Sequence, residues 1–282
     1  AHYAYLQQAC ADAGVEALGY IPKDESIVIP SRHLGLSIDE TFCFDAFADR
    51  VAEVIDKTVN VDRLLELCTV EFSGEQTEDV VCSGNRKIAI ARDEAFNFMY
   101  RENVEALKRA GEVVFFSPLH DKRLPDADLV YFPGGYPELH LAELATNEGM
   151  RQSVRKYCET GGRVLAECGG MMYLCDTITG DDGKVYPMVG VLKQGATMEQ
   201  MKLKLGYREV RVNGQRIRGH EFHYSRILPT NEKIPVIGTI YNAKDMVVDT
   251  PVYTYKNVLA SYIHFYWGEC GMDHFLMLMS QK

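Results

Sequence analysis

The residues best suited to chemistry cluster around Cys168. The run Gly161-Gly162-Arg163-Val164-Leu165-Ala166-Glu167-Cys168-Gly169-Gly170-Met171-Met172-Tyr173-Leu174 reads as a turn, a short buried strand, a cysteine, two glycines and an apolar stretch of helical character. That order predicts a nucleophile elbow, a sharp strand-to-helix turn that presents one reactive side chain above the end of a sheet. Glycines suit the turn because backbone crowds the nucleophile there, and only a residue without Cβ tolerates that. A sulfur at the start of the helix would meet unpaired N–H groups and the positive end of the dipole. Its pKa is therefore expected to fall by about one unit or more from about 8.5. Cysteine is also among the most commonly buried residue types. The strand–Cys–Gly–Gly–helix setting is what favours a reactive one here.

A cysteine nucleophile needs a base, usually histidine near neutral pH. Of the eight histidines, His264 follows the strand-like run Ala260-Ser261-Tyr262-Ile263. A histidine at a strand end can face the same crevice as the elbow. His220 and His223 flank Glu221 in Gly219-His220-Glu221-Phe222-His223-Tyr224-Ser225. On a strand, residues three apart point to opposite faces, which speaks against a shared metal, and no metal site is assigned. Gly134-Gly135, in Pro133-Gly134-Gly135-Tyr136-Pro137-Glu138, suits an oxyanion hole of backbone N–H groups. Each such donor is worth about 3 kcal/mol in the transition state. The segment Gly180-Asp181-Asp182-Gly183-Lys184-Val185 lacks the spacing of a P-loop and puts acidic residues where phosphate would sit.

These groups need elements to position them. Residues 1–68 predict a helix over Tyr3–Ala13, a strand over Val15–Tyr20, an edge or loop segment to Leu36, a helix from Ile38 or Asp39 to Val59, and a helix over Val61–Cys68. One strand and three helices make too little sheet for an independent α/β domain, and the lack of an initiator methionine adds to the impression of a domain's tail. Residues 69–86 are polar and turn-rich, as a linker is. From residue 87 to 282 strands and helices alternate. Strands are expected at Lys87–Ala91, Val113–Ser117, Leu129–Phe132 and Arg163–Glu167, with helices over Ala95–Ala110, Glu138–Ala145 and Met150–Thr160. That alternation predicts a mostly parallel sheet covered on both faces, with ligands beyond the carboxyl ends of its strands. The later part is richer in strands: Val189–Leu192, Tyr207–Val212, Arg216–Phe222, Val236–Tyr241, Met246–Asp249 and Val258–His264, with a closing helix over Asp273–Met279.

Composition sets the outer bounds. A chain of 282 residues with 46% hydrophobic and 25% charged residues is ordinary for a globular protein of one large or two smaller domains. A net charge of −10 argues against a nucleic-acid or anionic-membrane partner. No stretch approaches the roughly 20 apolar residues needed to span a bilayer, and the first residues lack the design of a secretion signal. The eight cysteines show no Cys-x-x-Cys spacing, which suits reduced thiols in a cytoplasmic protein.

Six segments together carry a family likeness: Ala91-Arg92-Asp93-Glu94-Ala95-Phe96, Phe116-Ser117-Pro118-Leu119, Pro133 to Glu138, Glu167-Cys168-Gly169-Gly170, Gly219 to Ser225, and Ala260 to His264. In this order they resemble the cobyrinic acid a,c-diamide synthase family, a cobyrinate- and cobyrate-directed branch of the glutamine amidotransferases, over essentially the whole chain. The resemblance implies a three-layer, flavodoxin-like class I amidotransferase domain, preceded by the remnant of a P-loop-type α/β synthetase domain. Arg32-His33-Leu34-Gly35-Leu36 looks like the end of that synthetase domain. Cys168 would attack the carboxamide of glutamine and His264 would shuttle protons. Gly134, Gly135 and Gly169 would form the oxyanion and glutamine-binding backbone, and the His223 segment would line the pocket. The family's other half uses ATP and magnesium to activate the a and c acetate groups of a corrin in cobalamin biosynthesis. No cofactor is expected in this fragment, which alone would be at most a glutaminase, and a homodimer is left open. Related class I enzymes place a glutamate two residues after the catalytic histidine. Here that position is Tyr266, so a Cys–His dyad is expected. A nickel tetrapyrrole (Ni-sirohydrochlorin) synthase of the same family, a non-catalytic corrinoid-binding module and a hydrolase acting on another amide remain as alternatives.

Overall fold

The computed structural model describes residues 2–29, 31–32, 35–36, 42–71, 84–230 and 233–268. The chain divides into two compact units, Ala1–Thr77 and Glu78–Lys282. In the first, α1 (His2–Asp12) and a 3-10 turn (Glu25–Ile27) precede the two-residue pair β1 (Ser31–Arg32) and β2 (Gly35–Leu36). Two helices follow, α2 (Phe44–Thr58) and α3 (Val61–Cys68). The Asn60 side chain caps α3 by accepting the Arg63 N–H. The strand expected over Val15–Tyr20 shrinks to one bridge, Gly19 to Val59. Only Val59 and Asn60 separate α2 from α3, so no extended chain is available for a longer ladder. The helix expected from Ile38 or Asp39 begins only at Phe44, because Cys43 before it is extended; residues 37–41, most of the expected linker and the helix over Asp273–Met279 lie outside the described residues.

The second unit runs β3 (Arg86–Ala91), α4 (Arg101–Ala110), β4 (Gly111–Phe116), β5 (Leu129–Phe132), α5 (Leu141–Thr146), α6 (Glu148–Glu159), β6 (Arg163–Glu167) and α7 (Gly169–Leu174). It continues with β7 (Cys175–Thr179), β8 (Val185–Pro187), β9 (Leu192–Thr197), β10 (Lys204–Val212), β11 (Gln215–His223) and β12 (Arg226–Ile227). The last strands are β13 (Thr239–Asn242), β14 (Val252–Tyr255), β15 (Val258–Ser261) and β16 (Ile263–Tyr266). The central sheet has the order β14-β15-β6-β5-β3-β4 and is parallel except for β14. Successive residues of its strands face opposite sides, as the strand period requires. Ile88, Ile90 and Leu165 pack with Leu107 of α4 and with Val210, Ile217 and Phe265 of an antiparallel sheet ordered β13-β10-β11-β16. Ala89, Ala91, Val164 and Ala166 pack on the other side with Leu144, Val154 and Met171 from α5, α6 and α7. The result is the expected three-layer α/β fold.

Four elements of the second unit depart from expectation. The helix expected from Ala95 begins only at Arg101. The Asp93 carboxylate accepts the N–H groups of Ala95 (2.9 Å) and Phe96 (3.1 Å), and Phe98 N–H donates to Gly134 O (3.0 Å). This local pairing competes with the first helical turns and wins. The strand expected over Val258–His264 breaks at Tyr262: β15 stays beside β6 in the parallel sheet, whereas β16 joins β11 in the antiparallel one. The strand expected at Val189–Leu192 starts only at Leu192, because Val189, Gly190 and Val191 donate to the carbonyls of Tyr173, Cys175 and Leu174. Of the strand expected over Met246–Asp249 there remains a bridge from Tyr241 to Val247.

Candidate active site

The parallel strands β5, β6 and β15 end side by side, and the sequence continues from them into Gly134, Cys168 and His264 respectively. Cys168 has φ 47° and ψ −109°, a conformation that side chains other than glycine rarely adopt. Its N–H donates to Ser261 O (2.7 Å) and its carbonyl accepts from Met172 N (3.0 Å), so both neighbours fix the turn. Strain of this kind persists only when the surroundings over-determine it, and it collects at functional positions. The elbow expected from the glycines is therefore present.

The sulfur does not have the electrostatics expected of it. Burial pushes the Cys168 thiol up, helped by the negative charge of Glu138, and the Gly169 N–H hydrogen bond to it opposes this only in part. The helix behind it, α7, has six residues and all are buried. The short dipole is thus outweighed by desolvation. In the free site the thiol keeps its proton.

His264 sits on β16 opposite His220 of β11. Its ring stacks on His220 (centroids 4.8 Å, 16°) and meets the Phe98 ring edge-on (4.6 Å, 69°). A Cβ added at Gly134 would lie 2.8 Å from His264 Nδ1, so this glycine is the floor on which the imidazole rests. Burial first, then the neighbouring His220 and His223, hold the His264 pKa down at about 3. The ring is neutral. Its Nδ1 is buried and has no hydrogen-bond partner among the described residues. Tyr266, two residues on, packs against Tyr100 at 5.5 Å.

Gly135 and Gly169 face each other. A Cβ on Gly169 would lie 3.2 Å from the Gly135 nitrogen and 2.7 Å from Pro137 Cδ, and Gly135 itself has φ 158°. The Gly169 N–H hydrogen-bonds the Cys168 sulfur, Gly135 packs against Gly169, and neither glycine has room for a side chain.

His223 lies on the opposite face of β11 from His220. It stacks on Tyr262 (3.6 Å, 6°), the residue at the break between β15 and β16. Nδ1 is 2.7 Å from Ser225 O and Nε2 is 2.9 Å from Glu221 Oε1. Both ring nitrogens therefore face oxygen acceptors. Glu221, fully buried, also accepts from Arg208 Nε (2.7 Å) and Thr250 Oγ1 (2.8 Å) and lies 3.3 Å from Lys204 Nζ. These partners outweigh its burial and hold its carboxyl down at about 2.

The lowered pKa of Glu221 has a stability consequence with a defined sign. The unfolded carboxyl titrates near 4.3. The stabilisation is complete above that value and is lost as pH falls towards about 2. Glu221→Gln leaves Arg208, only 8% exposed, without its charge partner. The expected loss is about 3 kcal/mol in urea unfolding at pH 7, with a flatter acid limb than the parent chain.

Some of these residues carry no signal in the sequence. Phe98 and Tyr100 lie beside His264 and His220 because the helix starts late, after both of them. Tyr100 Oη lies 2.6 Å from His220 Nδ1. In the sequence Glu221 is an acid at an inward position of the alternation Ile217-x-Gly219-x-Glu221-x-His223. That pattern is the one sign that a buried ionic network was coming.

Residues 87–271 match the model of the CobB/CobQ-like glutamine amidotransferase domain. The chain is 34% identical over 284 residues to the cobyrinate a,c-diamide synthase of Salmonella typhimurium, covering 95% of this chain and 62% of that protein. It is 36% identical to the cobyrinate a,c-diamide synthase of Caldanaerobacter subterraneus subsp. tengcongensis, covering 98% of this chain and 64% of that protein. It is also 36% identical to the hydrogenobyrinate a,c-diamide synthase of Pseudomonas aeruginosa, covering 91% of this chain and 58% of that protein. The chain thus spans less than two thirds of the length of these relatives. With the matched domain covering well over half of its residues, the chain belongs to the CobB/CobQ-like glutamine amidotransferase family.

Proposed function

We propose that the second unit hydrolyses glutamine and that its ammonia serves an ATP-dependent a,c-diamidation of a corrin, cobyrinate in the first instance. The observation that carries the first half is the convergence of a strained, buried cysteine, a neutral histidine and two facing glycine amides at the ends of adjacent parallel strands. The names of the longer relatives support the second half.

The chemistry follows from the protonation states. A neutral thiol and a neutral imidazole have to exchange a proton as the carbon–sulfur bond forms. Cys168 Sγ attacks the carboxamide carbon of glutamine while His264 takes the thiol proton. The amide oxygen becomes an oxyanion, held by N–H groups of Gly135 and Gly169. Collapse breaks the carbon–nitrogen bond, and His264 returns the proton to the departing nitrogen, releasing ammonia. A water deprotonated by His264 then cleaves the γ-glutamyl thioester to glutamate and free thiol. Gly134 gives the imidazole its place, and His223 with Tyr262 forms the inner wall of the glutamine pocket.

ATP and magnesium belong to the corrin half of the reaction. The sequence holds no P-loop, and the described residues contain no cluster of three His, Cys, Asp or Glu side chains suited to a metal. No step here runs through them. Residues 1–68 are assigned to the tail of the synthetase domain and 69–86 to the linker. The cysteines, free where described, suit a cytoplasmic enzyme.

Gly134→Ala tests the placement of the base. Its Cβ would displace the ring by roughly 1 Å, and a shift of that size costs about 10²-fold in kcat. The synthase assignment is tested in the full-length protein. Cys168→Ala should lose glutamine-dependent amidation of cobyrinate and keep amidation by free ammonia; loss of both would overturn the coupling. The hydrogenobyrinate relative shows that the tetrapyrrole varies within close kin. Parallel assays with cobalt, nickel and metal-free substrates decide among them.

A further inference from the structure

We propose that Glu167 and Asn103 are positioning residues for His264, holding the backbone of β16 on the side away from β11. The proposal rests on the glutaminase reading above.

Among the described residues β16 is the last strand of its sheet, with β11 as its one strand neighbour. Its outer edge is buried, and buried backbone polar groups must find partners. Two side chains supply them. Glu167 Oε1 accepts the Phe265 N–H (3.2 Å). Asn103 Nδ2 donates to Phe265 O (2.7 Å), and Asn103 Oδ1 accepts the Trp267 N–H (2.9 Å). Both side chains are essentially inaccessible to solvent. Tyr131 completes the group by donating to Glu167 Oε2 (2.8 Å) and packing on Trp267 (centroids 5.3 Å).

The connection this makes is short. Glu167 immediately precedes the nucleophile, and its carboxyl grips the residue immediately after the base. One side chain therefore couples the elbow to the strand that carries His264. His264 needs such a grip because no hydrogen bond among the described residues holds its Nδ1. In place of a carboxylate on the imidazole itself, the protein fixes the backbone on which the imidazole stands. Burial raises the Glu167 pKa to about 8, so near neutrality it grips as a hydrogen-bonding group with little charge.

The test compares Glu167→Ala, Glu167→Gln and Asn103→Ala in the full-length protein, reading kcat and KM for glutamine hydrolysis. A misplaced base costs about 10²-fold in kcat, so Glu167→Ala and Asn103→Ala are expected to lose on that order while KM changes less than about threefold. Glutamine at position 167 keeps an oxygen for Phe265 N–H and is expected to restore kcat to within about threefold of the parent. A Glu167→Gln protein as impaired as Glu167→Ala, or an Asn103→Ala protein with unchanged kcat, overturns the proposal. A loss confined to KM does so as well. A parent protein with no glutamine hydrolysis at all would overturn the glutaminase reading instead, so the two failures are told apart.

Discussion

Cys168→Ala is expected to lower glutamine hydrolysis by at least about 10⁴-fold, to the level of the uncatalysed background. Nucleophile removal in triad hydrolases costs that much or more, because the remaining groups cannot form the covalent intermediate. The fold should survive the change. The side chain is small, and the turn is fixed by backbone bonds from Cys168 to Ser261 and Met172 that alanine can also make. Retention of thermal stability alongside loss of turnover is thus the expected pair of results. Glutaminase activity within tenfold of the parent would remove Cys168 from the mechanism. Cys158 and Cys175 are also buried: burial raises both thiols to about 12, and Cys175 is bound to the Met171 carbonyl and Gln194.

His264→Ala is expected to lower kcat by about 10³-fold, within the range that a positioned general acid–base supplies. The loss should exceed that of Gly134→Ala, which only displaces the ring. The pH profile gives a second reading. With a pKa of about 3, His264 is already neutral at pH 5 and remains so at pH 8. The acid limb of kcat/KM is therefore expected well below the usual histidine range, with no loss between pH 8 and 5 attributable to this ring. An acid limb near pH 6.5 that disappears in His264→Ala would show an ordinary, solvated histidine and contradict the burial argument.

Much of this site was legible in the sequence, and the reasons are specific. Arg163–Glu167 and Leu129–Phe132 were readable as strands because short apolar runs lie between strong turn signals, and their ends are fixed by Cys-Gly-Gly and Pro-Gly-Gly. Gly134, Gly135, Cys168 and Gly169 follow directly on the C-terminal ends of adjacent parallel strands, and His264 comes close to Gly134 on β16, the strand after the third of them. What the sequence hid depends on partners far along the chain. The late start of α4 follows from Asp93 and from the Phe98–Gly134 pairing, neither of which has a helical periodicity to announce it. The break at Tyr262 has no glycine or proline to mark it. The chain changes sheets there because β11 offers a free edge to β16 and Ser225 and His223 hold the Tyr262 ring (Oγ to Oη 3.0 Å). The thiol's raised pKa was hidden for a related reason. The dipole of α7 can be read from local sequence, whereas the burial that overrides it comes from segments distant along the chain.

Mass spectrometry after treatment with a glutamine-like chloroketone tests the central claim most directly, because it asks whether this sulfur meets this imidazole over a glutamine-shaped pocket. The account predicts a single adduct on Cys168 at pH 7, slowed by competing glutamine, formed at least tenfold more slowly in His264→Ala and absent from Cys168→Ala. An unlabelled Cys168, or a labelling rate indifferent to both glutamine and His264, would contradict it.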